Sequence, residues 1–246
     1  MSALRSQLAL LCLALSPALA LAQTATVTVN ASNNISTVDD RHFGVNSTIW
    51  DGALGTPQTQ SLLQAAGLRA IRLPGGSLSD EYHWRTNTNL NNDQGTPTAP
   101  RWTWASGFDK SSSLITGLGA HAMITVNYGT GTPEEAAAWV AYANFPVSGG
   151  SDVALGIDAP APGTAQLPTP GPFDWQTART WANLRAATPL ANDDDHMNFL
   201  RLGRSAPFGF KYWEIGNENY GEWESDLQSP KQNALTYGTR AAIYLQ

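Results

Sequence analysis

Residues 211–220 read Lys-Tyr-Trp-Glu-Ile-Gly-Asn-Glu-Asn-Tyr and indicate an α/β fold. Their aromatic and β-branched side chains are typical of a β-strand, which the following Gly-Asn-Glu would end. Because side chains alternate along a strand, Glu214, Gly216 and Glu218 are predicted to share one face, with Glu214 roughly 13 Å below Glu218. Glu218 is therefore predicted to stand alone at the carboxyl end of the strand, where α/β barrels place their active-site residues. The alternative is a helix N-terminus capped by Asn217.

The chain before this strand alternates predicted strands with predicted helices. Strands are predicted at 41–50, 68–74 and 122–128, the first of them buried, and helices at 56–66, 107–118, from Thr132 through Tyr142, at 174–187 and from Ser229-Pro230 onward. Proline in the first turn and glycine after the last mark several of these helix ends. Strand-helix-strand repeats form parallel sheets. We therefore predict a (β/α)8 TIM barrel, of which about the first four βα units are present.

Four other segments are interpreted as irregular or as helix caps. Residues 85–105 and 145–172, which are rich in polar residues, Gly and Pro, are predicted to be loops. Residues 129–135 lack the complete glycine pattern of a nucleotide-binding loop, so they are predicted to form a capping box with Thr132 as N-cap and Glu135 at N3. Residues 193–196 read Asp-Asp-Asp-His and are interpreted as a solvated turn, because the other ligands of a calcium loop are missing. We expect no metal and no cofactor.

One cationic side chain is predicted to lie inside the fold. Ile71 and Leu73 share one face of the second predicted strand, so Arg72 points the other way, into the barrel. A guanidinium there is costly unless carboxylates pair with it, and Glu214 is the candidate partner. A structural ion pair and a role in a functional site are both compatible with this position.

The segment after Arg72 is predicted to form a sugar-binding rim. It combines polar side chains with aromatic surface in Ser77, Asp80, Glu81, Tyr82, His83 and Trp84, and the substrate-binding candidates among them are Ser77, Tyr82 and Trp84. Taken singly, each is more often an ordinary loop residue. The nine tryptophans of the chain are expected to pack mostly between elements, with a few as flat platforms for sugar rings.

Three segments, taken in this order, resemble α-L-arabinofuranosidases of glycoside hydrolase clan A. They are Arg72-Leu73-Pro74-Gly75-Gly76 with Tyr82-His83-Trp84, then Trp139-Val140-x-Tyr142-x-Asn144, and Lys211-Tyr212-Trp213 with Gly216-Asn217-Glu218-Asn219. The resemblance implies that Glu218 is the general acid/base, that Asn217 hydrogen-bonds a sugar hydroxyl near the reacting carbon, and that Arg72 supports the nucleophile electrostatically. Ser77 stands where these enzymes usually carry a sugar-binding Asn, and their acidic residue in the first strand is replaced around Val45-Asn46.

This resemblance implies a retaining glycosidase that acts on plant-type polysaccharide. Its nucleophile is a second carboxylate about 5–5.5 Å from the acid/base. The clan places that carboxylate on a seventh strand, expected beyond Gln246. Residues 23–246 are thus expected to be the truncated N-terminal part of a (β/α)8 catalytic domain, inactive alone. The alternatives are a non-catalytic carbohydrate-binding protein and another clan A glycosidase, resembling an endo-glucanase or xylanase. The sugar, linkage, anomer, endo or exo action and oligomeric state stay open.

The N-terminus and the composition predict an exported protein. Residues 1–22 contain Arg5, an apolar run and Ala20-Leu21-Ala22, which together form a secretory signal, so the mature protein is expected to be secreted or periplasmic. The apolar run is too short to span a bilayer, and no membrane partner is expected. The single cysteine, Cys12, lies in the signal, which leaves no disulfide. The net charge of -6 argues against a nucleic-acid partner, so the expected partner is a poly- or oligosaccharide.

Overall fold

The chain consists of two units, which meet in sequence at Thr37 and Val38. The computed structural model describes residues 25–93, 96–158 and 173–246, without the side chains of residues 90–103. In the first unit, residues 25–37 are exposed and form neither helix nor strand. The predicted signal at 1–22 lies outside the described residues.

The second unit contains two β-sheets and five α-helices among its described residues. In chain order these are β1 (Gly44–Asn46), α1 (Pro57–Ala65), β2 (Ala70–Leu73), β3 (Tyr82–His83), β4 (Thr88–Asp93), β5 (Thr96–Thr103), α2 (Phe108–Leu118), β6 (His121–Val126), α3 (Pro133–Asn144), α4 (Ala178–Ala186), β7 (Tyr212–Ile215) and α5 (Ala234–Tyr244). Short 3-10 helices lie at Asp40–His42, Gly76–Asp80 and Asn198–Leu200. Within the described ranges, no helix has the length and apolar character needed to cross a membrane.

The main sheet is parallel, with the strand order β1-β2-β6-β7. Helices lie between consecutive strands of this sheet along the chain, which confirms the predicted α/β class. Strand β1 is shorter than predicted and exposed rather than buried, with Val45 at 41% exposure. The physical reason is its place at an edge, where it has one neighbouring strand among the described residues. Strands β2 and β6 lie in the interior of the sheet and are mostly buried.

The helix starts follow from their capping residues. Thr56 caps α1 and Thr132 caps α3, each accepting a hydrogen bond from the backbone N-H three residues later, which confirms the predicted N-cap at Thr132. The Glu135 side chain, however, contacts His83 at 2.9 Å, so only the threonine half of the predicted capping box is seen. The last helix begins at Ala234, not at Ser229-Pro230, because Asn233 accepts hydrogen bonds from the first backbone N-H groups.

The segment predicted as one long loop at 85–105 is instead mostly sheet. Strands β3, β4 and β5 form a three-stranded antiparallel sheet in that order. Its threonines favour strands, and its prolines fall in β5, an edge strand that needs fewer N-H donors. The polar composition was therefore a poor guide, because this sheet is held by backbone pairing and lacks the apolar alternation of a half-buried strand.

The aromatic residues Tyr82 and Trp84 belong to the core, so the predicted sugar-binding rim is wrong for both. Tyr82 is 2% exposed and Trp84 is 0% exposed. Trp84 stacks on Trp139 of α3 with ring centroids 5.9 Å apart, and its indole N-H donates to the Glu135 carbonyl. Tyr82 donates its hydroxyl hydrogen to Asn87. Large rings are most stabilising when desolvated with their polar atoms paired, which explains this placement.

Candidate active site

Arg72 and Glu214 form an ion pair across the main sheet. Arg72 is next to Met123 in register, and Glu214 is next to Thr125, so the two side chains meet over β6. Arg72 Nε donates to Glu214 Oε2 at 2.6 Å, and Thr125 Oγ1 donates to the same oxygen at 2.8 Å. The predicted partner of Arg72 is thus confirmed. The Arg72 and Glu214 side chains are 22% and 34% exposed, which leaves room for a role beyond structure.

A chain of hydrogen bonds continues from Arg72 through Asn217. Arg72 Nη2 donates to Asn217 Oδ1 at 3.1 Å, and Asn217 Nδ2 donates to Glu224 Oε1 at 2.9 Å. Ser77 Oγ donates to that same Glu224 oxygen at 2.8 Å. Because a cation contacts one end of the amide and a carboxylate the other, the Asn217 side chain is held in one orientation.

Glu218 lies on a sharp corner directly after β7. The strand ends at Ile215, and Gly216 and Glu218 both have positive φ angles, of 70° and 42°. The predicted alternation therefore stops before Glu218, and the expectation that it shares a face with Glu214 is wrong, because positive φ turns the backbone out of the strand path. The Glu218 side chain is exposed. In the described part of the chain, no side chain donates a hydrogen bond to its carboxylate.

Asp80 lies beneath this corner and is fully buried. Its Oδ2 accepts the backbone N-H of Asn217 at 2.9 Å and Nδ2 of Asn219 at 3.0 Å. Its Oδ1 accepts the backbone N-H groups of Tyr128 and Gly129 at 3.3 and 3.1 Å. Burial raises the pKa of Asp80 to about 7, and these N-H donors oppose the rise.

Glu224 is a second buried carboxyl group close to Glu218. Its side chain is hydrogen-bonded to Ser77 and Asn217, and the residue is 4% exposed. Burial raises its pKa, the hydrogen bonds from Ser77 and Asn217 lower it, and the charge of Glu218 raises it. Sequence patterns marked Asp80 only as part of the predicted rim and gave Glu224 no role, because Asp80 lies seven residues after β2 and Glu224 nine residues after β7.

No protein-family model matches the chain. It is 25% identical over 226 residues to a probable alpha-L-arabinofuranosidase C of Aspergillus fumigatus, with 82% of this chain and 35% of that protein covered. The alpha-L-arabinofuranosidase C of Emericella nidulans is 28% identical over 170 residues, with 67% and 25% covered. Two solved structures share the fold at a TM-score of 0.50, and each match covers 85% of this chain and 36% of the chain in the solved structure. They are a family 51 alpha-L-arabinofuranosidase from Bifidobacterium longum, 22% identical, and a GH51 arabinofuranosidase from Xanthomonas axonopodis pv. citri, 20% identical.

The chain resembles α-L-arabinofuranosidases. The resemblance inferred from three short segments is thus confirmed over most of its length. The arabinofuranosidase-like chain spans about a third of the curated Aspergillus fumigatus relative. In the described ranges, no group of three or more His, Cys, Asp or Glu side chains is placed to hold a metal ion.

Two exposed aromatic side chains of this arabinofuranosidase-like chain lie shortly after Glu218. Tyr220 is 71% exposed and Trp223 is 66% exposed, and their rings meet edge to face with centroids 6.0 Å apart. Both lie within five residues of Glu218. Flat exposed rings are the kind of surface that can pack against sugars, and this pair has the exposure that Tyr82 and Trp84 lack.

The Glu218 corner requires glycine at position 216, which gives a stability prediction. Gly216→Ala is expected to lower the free energy of unfolding by roughly 2 kcal/mol or more, because a Cβ at φ 70° is strained and would meet Asn219 Oδ1 and, at 2.8 Å, Tyr128 Cβ. Gly209→Ala is the matched control, since Gly209 has φ 74° and nothing within 4 Å of the added Cβ. Urea unfolding of both variants measures the difference. Equal losses would show that steric contact at the corner is unimportant.

Proposed function

We propose that the chain carries the acid/base half of a retaining glycoside hydrolase that acts on plant-type polysaccharide and is most similar to α-L-arabinofuranosidases. The main support is the placement of Glu218, an exposed carboxyl group on a fixed corner beside Asn217, whose amide is oriented by Arg72. The names of the relatives point to the same reaction. We also propose that the protein is secreted or periplasmic, which rests on the signal-like residues 1–22.

In the proposed reaction Glu218 acts twice. As an acid it transfers its proton to the glycosidic oxygen while the bond from the anomeric carbon to that oxygen breaks, and a carboxylate attacks the carbon to form a glycosyl-enzyme. As a carboxylate it then takes a proton from water, and the water oxygen displaces the attacking carboxylate. The exposed position of Glu218 suits both steps, because a leaving group and a water molecule must reach it in turn.

The neighbours of Glu218 are proposed to hold the sugar and the charge. Asn217 is assigned a hydrogen bond to a sugar hydroxyl near the reacting carbon, and its fixed amide suits this role. Arg72 brings a positive charge to the centre of the site and is assigned the electrostatic support of the nucleophile. Ser77 donates a hydrogen bond to Glu224 and is proposed to act in sugar binding indirectly, through the Glu224 carboxylate.

We assign the nucleophile to a residue outside the described ranges. A retaining enzyme needs two carboxyl groups about 5–5.5 Å apart. The resemblance to clan A implies that this second carboxylate lies on a later strand. Glu214 is hydrogen-bonded to Arg72 and Thr125, Glu224 to Ser77 and Asn217, and Asp80 to four N-H groups. We accordingly propose that the parallel sheet is part of a (β/α)8 barrel, to which the similarity in fold to family 51 structures lends support.

The experiment is an assay of the complete protein on a panel of aryl glycosides. We expect hydrolysis of an aryl α-L-arabinofuranoside with net retention of configuration. Proton NMR of the product that forms first measures its anomeric configuration. Aryl xylobioside and cellobioside serve as comparisons, because cleavage of these instead would move the protein to an endo-acting clan A glycosidase.

A carbohydrate-binding protein without activity is the second candidate, favoured by the exposed pair Tyr220 and Trp223. It predicts that arabino-oligosaccharides bind, as measured by calorimetry, while no aryl glycoside is hydrolysed. Hydrolysis that Glu218→Ala abolishes would exclude this candidate. If the protein showed no binding and no hydrolysis, both candidate functions would be contradicted.

A further inference from the structure

A buried carboxylate links the three loops that follow strands β2, β6 and β7. Asp80 ends the 3-10 helix after β2, Tyr128 and Gly129 follow β6, and Asn217 and Asn219 follow β7. The loops are also in close contact here, since a Cβ on Gly129 would lie 2.8 Å from Asp80 Cβ. A single side chain thus joins segments that are far apart in sequence.

The two Asp80 contacts after β7 lie on either side of Glu218. Asp80 Oδ2 accepts from the backbone N-H of Asn217 and from the side chain of Asn219, the residues immediately before and after Glu218. Glu218 itself has φ 42°, a backbone conformation that side-chain-bearing residues rarely adopt. Residues in such conformations persist only when their surroundings fix them.

Resting on the proposed function, we propose that Asp80 is a positioning residue that holds the Glu218 carboxyl group at the geometry needed for proton transfer. Four donors suit a carboxylate, since each of its two oxygens can accept two hydrogen bonds. An asparagine at position 80 has the same size but only one side-chain oxygen. Its NH2 group faces the two N-H donors that the second carboxylate oxygen of Asp80 accepts in the wild type. Asp80→Asn therefore loosens one pair of loop contacts without leaving a cavity.

The kinetic test compares two leaving groups in the complete protein. Asp80→Asn is expected to lower kcat roughly tenfold to a hundredfold more on an alkyl arabinofuranoside, which needs protonation, than on a dinitrophenyl arabinofuranoside, which does not. The expected change lies in kcat rather than in KM, because the sugar contacts remain. A merely structural role would reduce the active fraction and lower kcat on both substrates by the same factor.

Asp226→Asn is the matched control. Asp226 is also buried, at 2% exposure, and accepts the backbone N-H groups of Gln228 and Gln232, but it has no hydrogen bond to the Glu218 corner. It is expected to leave the ratio between the two substrates unchanged. An equal change of ratio in Asp80→Asn and Asp226→Asn would overturn the proposal.

A second readout does not depend on activity. Hydrogen exchange of a peptide covering residues 216–220 is expected to speed up in Asp80→Asn and not in Asp226→Asn, because an NH2 group replaces one of the two oxygens that tie the corner to the neighbouring loops. If wild type hydrolyses nothing, the proposed function fails, and this exchange comparison alone decides whether Asp80 fixes the corner. If Asp80→Asn does not fold, Asn219→Ala removes one donor and should shift the substrate ratio in the same direction by less. An unchanged ratio and unchanged exchange would refute the role.

Discussion

Glu218→Gln is expected to reduce turnover of glycosides with poor leaving groups by roughly 10²–10⁴-fold, the range of general acid catalysis. The amide fills the same space on the corner after β7 but has no proton to give at the pH of the assay. Activated aryl glycosides should lose much less in the glycosylation step, because their leaving oxygen departs without protonation. The dependence of rate on the leaving group is therefore the expected signature, more than the size of any single loss.

The measurement is kcat/KM on a series of aryl and alkyl arabinofuranosides with leaving groups of different pKa. Glu222→Gln is the matched control, because it makes the same change of charge on an exposed residue of the same loop. In Glu222→Gln, kcat/KM on every substrate of the series should stay within about a factor of two of the wild-type value, as expected of a surface substitution. A Glu218→Gln variant that lost activity equally across the series would contradict the acid/base role.

Local sequence signals predicted the elements that support this site. Thr56-Pro57 and Thr132-Pro133 gave the starts of α1 and α3, because capping threonines and prolines act within one helical turn. The Arg72-Glu214 pair was also predictable, since both residues lie within regular strands where alternation fixes the direction of a side chain.

The residues that sequence failed to place depend on contacts between distant segments. Asp80 was predicted only as one polar residue of a sugar-binding rim, yet its donors come from two other loops, 48 to 139 residues away. Trp84 was predicted at a rim because its own segment is polar, and only its stacking on Trp139 shows that it is core. Glu218 was assigned to a strand face that ends three residues earlier, because alternation applies only where the backbone is extended.

Arg72→Lys should lower kcat/KM by roughly tenfold to a hundredfold, on activated and unactivated substrates alike. Arg72 uses Nε for Glu214 and Nη2 for Asn217, two contacts that one ammonium group cannot make with the same planar geometry. The lysine keeps the charge, so the loss should reflect a misplaced Asn217 and a displaced positive charge rather than failed proton transfer. This lack of dependence on the leaving group separates the Arg72 effect from that of Glu218→Gln.

Arg41→Lys provides the control for this substitution. Arg41 also pairs through Nε with a carboxylate, Asp39, and donates through Nη1 to Tyr212 at the start of β7, the end opposite Glu218. Both variants should change the free energy of folding little, because these ion pairs are partly exposed and solvent screens them. Only Arg72→Lys should lose activity. If the two variants retained equal kcat/KM, Arg72 would be a structural ion pair alone, and the orientation of Asn217 would have to come from Glu224.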